Sequence, residues 1–374
     1  MIEDMQVIRP RGGLSATRQA IASGELTIGF LGGSITAEDP AVGGMTSNWP
    51  KFIRGFFLTQ YPRTSLRVYN AGIGGTCSLS GLMRADQEII AHGCDLVFIE
   101  YAVNDDGVGP YERSREGLIR KLLQRRCDVV AVYTYNEPMY ADMLAGKAPD
   151  TVAAFERLAE HYCLPSVWMG LHAFRQIAAG RLSWEEFLPE SGGRLHPLAW
   201  GSSIYAEPVI DFLRAELSVC AEDARSGIPY GAQLPLPLCP LHYQNIREIP
   251  MDSWVLKGPW VRQRVLNNPW YSEMAVTDSV EASLAFRFVG KMLAVALDYG
   301  QCCAVLRWRI DGGDWQETGN TRHDWMPMRN WTMTLPMTDD LSSGEHLFEM
   351  TPIHGDRPGF WGTECRLYSF VTVK

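Results

Sequence analysis

The chain has 374 residues, 46% of them hydrophobic and 21% charged, and a formal net charge of −9. This length and composition predict a globular protein of two domains. The acidic balance disfavours nucleic acid and anionic membrane surfaces as partners, because both attract clustered Lys and Arg. The sequence contains no run of about 18 or more apolar residues and therefore predicts no membrane span.

The first residues, MIEDMQVIRPRGG, are partly acidic and contain no apolar stretch of signal-peptide length. The nine cysteines are an odd number and include no CxxC pair or zinc-finger spacing. We therefore expect mostly reduced thiols in a cytoplasmic protein.

Five short segments in the first half are rich in Val, Ile, Leu and Phe without strict alternation. This pattern is typical of strands that are buried on both faces of a parallel sheet. They are Leu26–Leu31, Leu66–Asn70, Asp95–Tyr101, Asp128–Tyr133 and Ser166–Met169.

Apolar residues with helical spacing lie between these strands. They predict helices at 49–57, which we expect Asn48 to cap, at 118–123 and at 152–162, and a last helix that ends near Leu217. Strand–helix alternation predicts a doubly wound α/β layer with right-handed crossovers, whose ligands gather at the carboxyl ends of the strands.

The pattern changes in the second half of the chain. Four prolines between 227 and 240 predict an extended linker against a domain surface. The predicted strands that follow are Glu281–Phe288, Met292–Leu297, Ala304–Ile310, Trp331–Leu335, His346–Thr351 and Cys365–Val373. The sequence Asp311-Gly312-Gly313-Asp314 indicates a hairpin turn. We predict an α/β domain at 1–220, a proline-rich linker at 221–245 and an all-β, jelly-roll-like sandwich at 246–374.

Two glycine-rich segments follow the first two predicted strands. In Gly32–Thr36, Ser34 stands where a strand breaks into a turn, so that its Oγ could act as a nucleophile or could merely cap a helix. In Asn70–Thr76, three glycines allow the backbone to point an N–H at a ligand, although an ordinary turn explains them equally well. The glycine spacing does not fit a dinucleotide-binding loop, and no predicted helix follows directly.

Asn104 follows the third predicted strand, and His196 precedes the last helix of the α/β half. The amide of Asn104 could donate to a developing oxyanion, and the alternative is an Asx turn that closes the strand. His196, followed by Pro197, could be a general base or a structural histidine near a helix start.

The ordered set GGSIT, NAGIGGTCS, YAVND and LHP resembles the motifs of the SGNH (GDSL-like) hydrolase superfamily, over roughly the first 215 residues. The resemblance implies a flavodoxin-like three-layer α/β/α sandwich with a five-stranded parallel sheet. It implies that Ser34 is the nucleophile and His196 the base. By the same resemblance, the N–H groups of Ser34 and Gly75 and the side chain of Asn104 form the oxyanion hole.

One position departs from the pattern of this superfamily, in which an acid normally stands three residues before the histidine. That position is Gly193 here. Three explanations stay open: Glu190 supplies the orienting acid, a backbone carbonyl holds the ring in a Ser–His dyad, or the enzyme is degenerate.

The implied activity is hydrolysis of small acyl esters, most simply acetyl esters of a carbohydrate, without a metal or organic cofactor. The expected partner is a small-molecule or oligosaccharide ester, and the sequence does not indicate an oligomeric state. The alternatives are a non-catalytic carbohydrate-binding protein on an esterase scaffold and a lipid or thioester hydrolase. A long apolar groove beside Ser34 would favour the lipid substrate, whereas a short polar pocket edged by Trp would favour an acetylated sugar.

Overall fold

The computed structural model describes residues 5–37, 48–107, 109–219, 227–265 and 270–374. The chain divides into two units, Met1–Gln244 and Asn245–Lys374. Within the described ranges, every helix is either too short or too polar to span a lipid bilayer. The eight cysteines in these ranges are all free thiols.

The first unit is an α/β domain. Its strands are β1 (Ile8–Arg9), β2 (Glu25–Gly32), β3 (Ser65–Asn70), β4 (Leu96–Glu100), β5 (Asp128–Val132) and β6 (Ser166–Val167). Its helices are α1 (Ser15–Ser23), α2 (Trp49–Gln60), α3 (Ser78–Glu88), α4 (Pro110–Gln124), α5 (Tyr140–Leu144), α6 (Asp150–His161), α7 (Met169–Ala178), α8 (Trp184–Phe187) and α9 (Ala199–Ser218).

The sheet of the first unit has the order β1-β6-β5-β4-β2-β3. The five strands from β2 to β6 are parallel, which confirms the predicted flavodoxin-like arrangement. The additional edge strand β1 pairs antiparallel with β6 and was not predicted, because two residues provide too little pattern to recognise. Strands β4 and β5 are buried along their whole length, as their continuous apolar sequences require.

Helix α2 packs the ring of Trp49 against the sheet. Its centroid lies 5.2 Å from that of Phe30 on β2 and 5.7 Å from that of Phe98 on β4, both in edge-to-face geometry. Since β2 and β4 are the strands whose ends carry Ser34 and Asn104, this aromatic cluster fixes the start of α2 close to those ends.

Helix α3 begins directly after the second glycine-rich segment, so the expectation that no helix follows there is wrong. Its buried face consists largely of small residues, among them Ser78, Ser80, Gly81 and Ala85. A Cβ on Gly81 would lie 2.1 Å from the hydroxyl of Tyr101, so the helix needs a small residue at this contact. Leu79 and Leu82 are the large apolar residues of this face, and so short an apolar stripe is a weak signal of a helix in a sequence.

The proline-rich segment 227–244 lies within the first unit. Glu116, buried on α4, accepts hydrogen bonds from the backbone N–H groups of Leu238 at 2.6 Å and Cys239 at 2.7 Å. Tyr230 donates its hydroxyl to the buried carboxylate of Asp128. These bonds hold the segment along the surface of the α/β domain.

The second unit is a β-sandwich. Its strands are β7 (Arg247–Ile249), β8 (Val255–Lys257), β9 (Val261–Arg264), β10 (Glu273–Thr277), β11 (Ser283–Val289), β12 (Met292–Asp298), β13 (Val305–Ile310), β14 (Gln316–Glu317), β15 (Thr332–Thr338), β16 (Glu345–Ile353) and β17 (Cys365–Val373). One sheet has the order β15-β12-β17-β10-β9 with β7 beside β17, and the other has the order β14-β13-β16-β11-β8. All of these pairings are antiparallel, so the predicted all-β sandwich is confirmed.

Aromatic side chains from both sheets meet in the sandwich core. The ring of Phe370 on β17 lies 4.9 Å from that of Phe286 on β11 and 5.2 Å from that of Phe348 on β16. The predicted hairpin is present after β13, where Asp311 and Gly312 adopt φ values of 52° and 71°. Five strands were not predicted (β7, β8, β9, β10 and β14), because they are short or polar.

Candidate active site

Ser34 lies in a turn at the carboxyl end of β2. The carbonyl of Gly33 accepts hydrogen bonds from the N–H groups of Thr36 at 3.1 Å and Ala37 at 3.0 Å, which closes the turn. Ser34 as a whole residue is 9% exposed. Since the next described helix begins at Trp49, Ser34 is not the N-cap of that helix, and its hydroxyl is available for another contact.

His196 contacts Ser34 across 162 residues of sequence. Its Nε2 lies 2.7 Å from Ser34 Oγ, a distance at which the serine hydroxyl donates to a neutral imidazole. Burial lowers the pKa of His196, against a smaller raising effect of the Gly192 carbonyl. The ring is therefore neutral at physiological pH and can accept a proton.

The acceptor that faces Nδ1 of His196 is the backbone carbonyl of Gly192, at 3.3 Å. The same carbonyl accepts the N–H of His196 at 3.0 Å. The carboxylate of Glu190 is exposed and does not occupy this position. Gly193, which stands where an acid was expected, adopts a left-handed φ of 64°, and Arg194 follows with 54°. The turn that carries the Gly192 carbonyl to the ring thus uses a conformation that favours glycine.

The other two residues expected in the oxyanion hole, Gly75 and Asn104, lie in the turns that follow β3 and β4, the two strands beside β2 in the sheet. Among the described residues, the N–H groups of Ser34 and Gly75 donate to no backbone carbonyl. Gly75 is exposed and has a φ of 71°. The glycine segment approaches closely, since the N–H of Ile73 donates to the carbonyl of Gly32 at 3.0 Å. Donors in this arrangement can stabilise a tetrahedral oxyanion.

Asn104 lies in a turn after β4, and its side chain packs against the backbone of Gly33. A Cβ on Gly33 would lie 2.0 Å from Asn104 Oδ1 and 3.1 Å from Nδ2. The residue before Ser34 must therefore be a glycine if the amide of Asn104 is to keep its position. This contact explains why a glycine directly precedes the serine in the GGS sequence.

Two asparagine side chains hold the far side of the turn. The amides of Asn48 and Asn70 both donate to the carbonyl of Thr36, at 2.7 and 2.8 Å. Asn48 also donates to the carbonyl of Ala37 at 2.9 Å. Asn48 is the N-cap residue of α2, as predicted, but its side chain makes no capping hydrogen bond because the Ser34 turn engages it.

Glu100, the last residue of β4, is a fully buried carboxylate beneath the turn. It accepts hydrogen bonds from the hydroxyls of Thr134 at 2.6 Å and Thr36 at 3.1 Å, and from the N–H groups of Gly33 and Ala102. Burial raises its pKa, whereas these four donors lower it. Sequence reasoning missed this residue, although an acid at the end of an apolar strand is a recognisable signal.

Asp105 was also missed. It is buried beside Arg115, whose Nε lies 3.5 Å from its Oδ2, and it accepts the N–H of Ser78 at the start of α3 at 2.8 Å. Burial raises its pKa to about 7, although Arg115 lowers it. Asp105 thus connects the Asn104 turn to the helix that follows Gly75.

Comparison with known proteins identifies no matching family model and no matching curated sequence. Among solved structures, a two-domain esterase active on acetylated mannans, co-crystallised with mannopentaose, is similar at a TM-score of 0.79 and 22% identity. The similarity covers 97% of this chain and 95% of that one. A second structure of a two-domain esterase active on acetylated mannans has the same TM-score and identity, and the similarity covers 97% of this chain and 96% of that one. The chain therefore has the two-domain fold of these structures.

Proposed function

We propose that this protein is a serine esterase that removes acetyl groups from a carbohydrate through an acyl-enzyme on Ser34. The observation that carries the proposal is the 2.7 Å contact between His196 Nε2 and Ser34 Oγ. A serine that donates to a neutral base is the arrangement that acyl transfer requires, and the turns that follow β3 and β4 contain the backbone and amide donors proposed to hold the oxyanion.

In the acylation step, Ser34 Oγ attacks the ester carbonyl carbon while its proton passes to His196 Nε2. The carbonyl oxygen becomes an oxyanion that accepts hydrogen bonds from the N–H groups of Ser34 and Gly75 and from the amide of Asn104. The carbonyl then re-forms, the C–O bond to the sugar breaks, and the leaving alkoxide takes the proton from His196. The ring is neutral again and Ser34 carries the acetyl group.

In the deacylation step, His196 takes a proton from a water molecule as the water oxygen attacks the acetyl carbon. The same three donors hold the second oxyanion. When it collapses, Ser34 Oγ leaves and recovers the proton from His196, so acetic acid is released and the enzyme returns to its starting state.

The carbonyl of Gly192 takes the orienting role that a carboxylate has in a Ser-His-Asp triad. It accepts the Nδ1–H of His196, which leaves Nε2 as the basic nitrogen that faces Ser34. A carbonyl has only a partial negative charge, so it stabilises the imidazolium less than a carboxylate does, but it fixes the same tautomer and ring orientation.

The substrate class is supported by similarity of fold. A structure that shares this two-domain fold belongs to an esterase active on acetylated mannans, and it was crystallised with mannopentaose. We therefore choose acetylated manno-oligosaccharides as the first substrates to test. Fold alone does not define a substrate, so the test includes acetylated xylo-oligosaccharides and p-nitrophenyl acetate.

The experiment measures acetate release by mass spectrometry from these substrates. We expect turnover by the wild-type protein and a loss of at least about 10³-fold in Ser34→Ala. Ser218→Ala is the matched control, because Ser218 is exposed at the end of α9 and its hydroxyl donates to the carbonyl of Ala215. Wild-type turnover no faster than that of Ser34→Ala on every ester would contradict the proposal and would favour a non-catalytic carbohydrate-binding protein.

A further inference from the structure

The first unit contains an open cavity of about 500 Å³ that none of the residues of the Ser34–His196 mechanism lines. This volume is typical of small-molecule sites. Its lining combines three aromatic rings with three charged side chains. The rings are those of Tyr135, Tyr140 and Trp184, and the charged side chains are those of Glu137, Glu185 and Arg194.

Two connections link the lining of this cavity to His196 and to the turn of Ser34. Arg194 lies two residues before His196, so their Cα atoms are at most about 7 Å apart. Tyr135 follows Thr134, whose hydroxyl donates to Glu100 at 2.6 Å, and Glu100 also accepts the N–H of Gly33. Arg194 thus places the cavity beside the turn that carries the base, and Thr134 and Glu100 connect Tyr135 to the turn that carries the nucleophile.

The aromatic rings of the cavity form a continuous wall. The ring of Trp184 lies 5.1 Å from that of Tyr135 at an interplanar angle of 32°, and 5.8 Å from that of Tyr140 at 67°. Tyr140 is 39% exposed, so part of this wall is open to a ligand.

Hydrogen bonds fix the helix that carries Trp184 and the backbone of Tyr135. Ser183 and Glu186 form a capping box at the start of α8, which fixes the short helix that carries Trp184. The N–H of Tyr135 donates to the hydroxyl of Tyr205 on α9 at 3.0 Å. A ring wall fixed at both ends is pre-organised, which lowers the entropic cost of binding.

The edges of the cavity are polar. The carboxylates of Glu137 and Glu185 are exposed and can accept hydrogen bonds from hydroxyl groups. Burial, followed by the negative charge of Glu137, raises the pKa of Tyr135 to about 12, so its hydroxyl stays protonated and can donate. An acyl chain in this cavity would desolvate charged groups without giving them partners. A sugar ring offers apolar C–H faces to the rings and hydroxyls to the carboxylates.

We propose that this cavity binds sugar rings of the alcohol part of the ester, with Tyr140 and Trp184 against the ring faces and Glu137 as an acceptor of sugar hydroxyls. The inference rests on the proposed esterase function for its role in catalysis, but sugar binding itself can be measured without turnover. The cavity would then determine which acetylated carbohydrate reaches Ser34.

The test measures kcat/KM of each variant on two substrates. For Tyr140→Ala and for Glu137→Gln, we expect the ratio of kcat/KM on the acetylated manno-oligosaccharide to kcat/KM on p-nitrophenyl acetate to fall about tenfold or more. Leu144→Ala is the control, because Leu144 is 62% exposed on the same helix α5 and lies outside the cavity lining. An unchanged ratio in both variants would overturn the proposal.

A second measurement separates this proposal from the esterase function. The deacetylated manno-oligosaccharide is titrated calorimetrically into Ser34→Ala, with and without Tyr140→Ala. Binding that weakens about tenfold with the second substitution supports the cavity even if the wild type cleaves no ester. Binding that is absent, or that is equal in the two proteins, overturns the cavity proposal even if the wild type is an active esterase.

Discussion

The contact between Gly33 and Asn104 gives the sharpest test of how the site is built. In Gly33→Ala, the new Cβ would lie 2.0 Å from Asn104 Oδ1, whereas an ordinary contact is 3.4 Å or more. The amide of Asn104 must therefore retreat by more than about 1 Å, a displacement that can lower a rate about 10²-fold. We expect kcat to fall about 100-fold, which is within the range for loss of one oxyanion donor.

The same substitution has a limited effect on stability, because the atoms in conflict are the end of one side chain and not backbone. Overpacking of this kind costs about 1–3 kcal/mol. The assay measures kcat and KM on p-nitrophenyl acetate together with thermal unfolding. Gly55→Ala is the control, since a Cβ on Gly55 in α2 meets no atom within 4 Å, and its activity should equal that of the wild type.

A double-mutant cycle completes this test. Asn104→Ala removes the amide with which the new Cβ would collide, so Gly33→Ala in the Asn104→Ala background should cost little further activity. If the two losses simply multiply, Gly33 does not act through Asn104. If Gly33→Ala alone retains full activity, Asn104 is not held by this contact.

Three further predictions concern the base and the buried charges. Glu190→Gln should leave kcat on p-nitrophenyl acetate unchanged, because Nδ1 of His196 faces the Gly192 carbonyl, and a loss above about tenfold would restore Glu190 as the orienting acid. The lowered pKa of His196 predicts that kcat/KM, measured against pH, rises through an inflection below 6.5, since the ring must be neutral to accept the proton; an inflection above 6.5 would contradict the burial argument. Asp105→Ala should lower the free energy of unfolding in urea by about 1–3 kcal/mol, because it leaves the buried N–H of Ser78 without its acceptor, and an unchanged free energy of unfolding would contradict that role.

The layers of the fold were predictable because each strand of the parallel sheet has its own local pattern. Buried parallel strands are continuously apolar, and the segments of β2, β4 and β5 satisfy this rule without any knowledge of their neighbours, whereas the edge strand β3 is partly exposed. Since the carboxyl ends of parallel strands meet at one edge, the ends of β2, β3 and β4 could be assigned to one site. His196 could be added because a family resemblance supplied its place in the order.

The features that were missed depend on contacts between distant residues. The buried face of α3 has Leu79 and Leu82 as its large apolar residues among small ones, so its apolar stripe is short, and its position is set by contacts such as that of Gly81 with Tyr101. Asn48 stands at the start of a helix, where a cap is the local expectation, but a carbonyl from a turn twelve residues earlier takes its amide. No local rule specifies which carboxylate or carbonyl such a group will meet.

The Gly192 carbonyl shows the same limit at the site itself. The sequence indicated that an acid is missing at Gly193 and left three explanations open. Only the turn geometry, with left-handed Gly193 and Arg194, identifies the atom that faces His196. The absence of a side chain could be read from the sequence, but its replacement by a backbone atom could not.

The role of Ser34 as a nucleophile activated by His196 is tested most directly by treating the protein with diisopropyl fluorophosphate and mapping the adduct by intact mass and peptide sequencing. We predict one equivalent of label on Ser34, none in Ser34→Ala, and labelling at least about 100-fold slower in His196→Ala. A protein that hydrolyses acetyl esters yet takes the label on another residue, or takes none, would contradict the account.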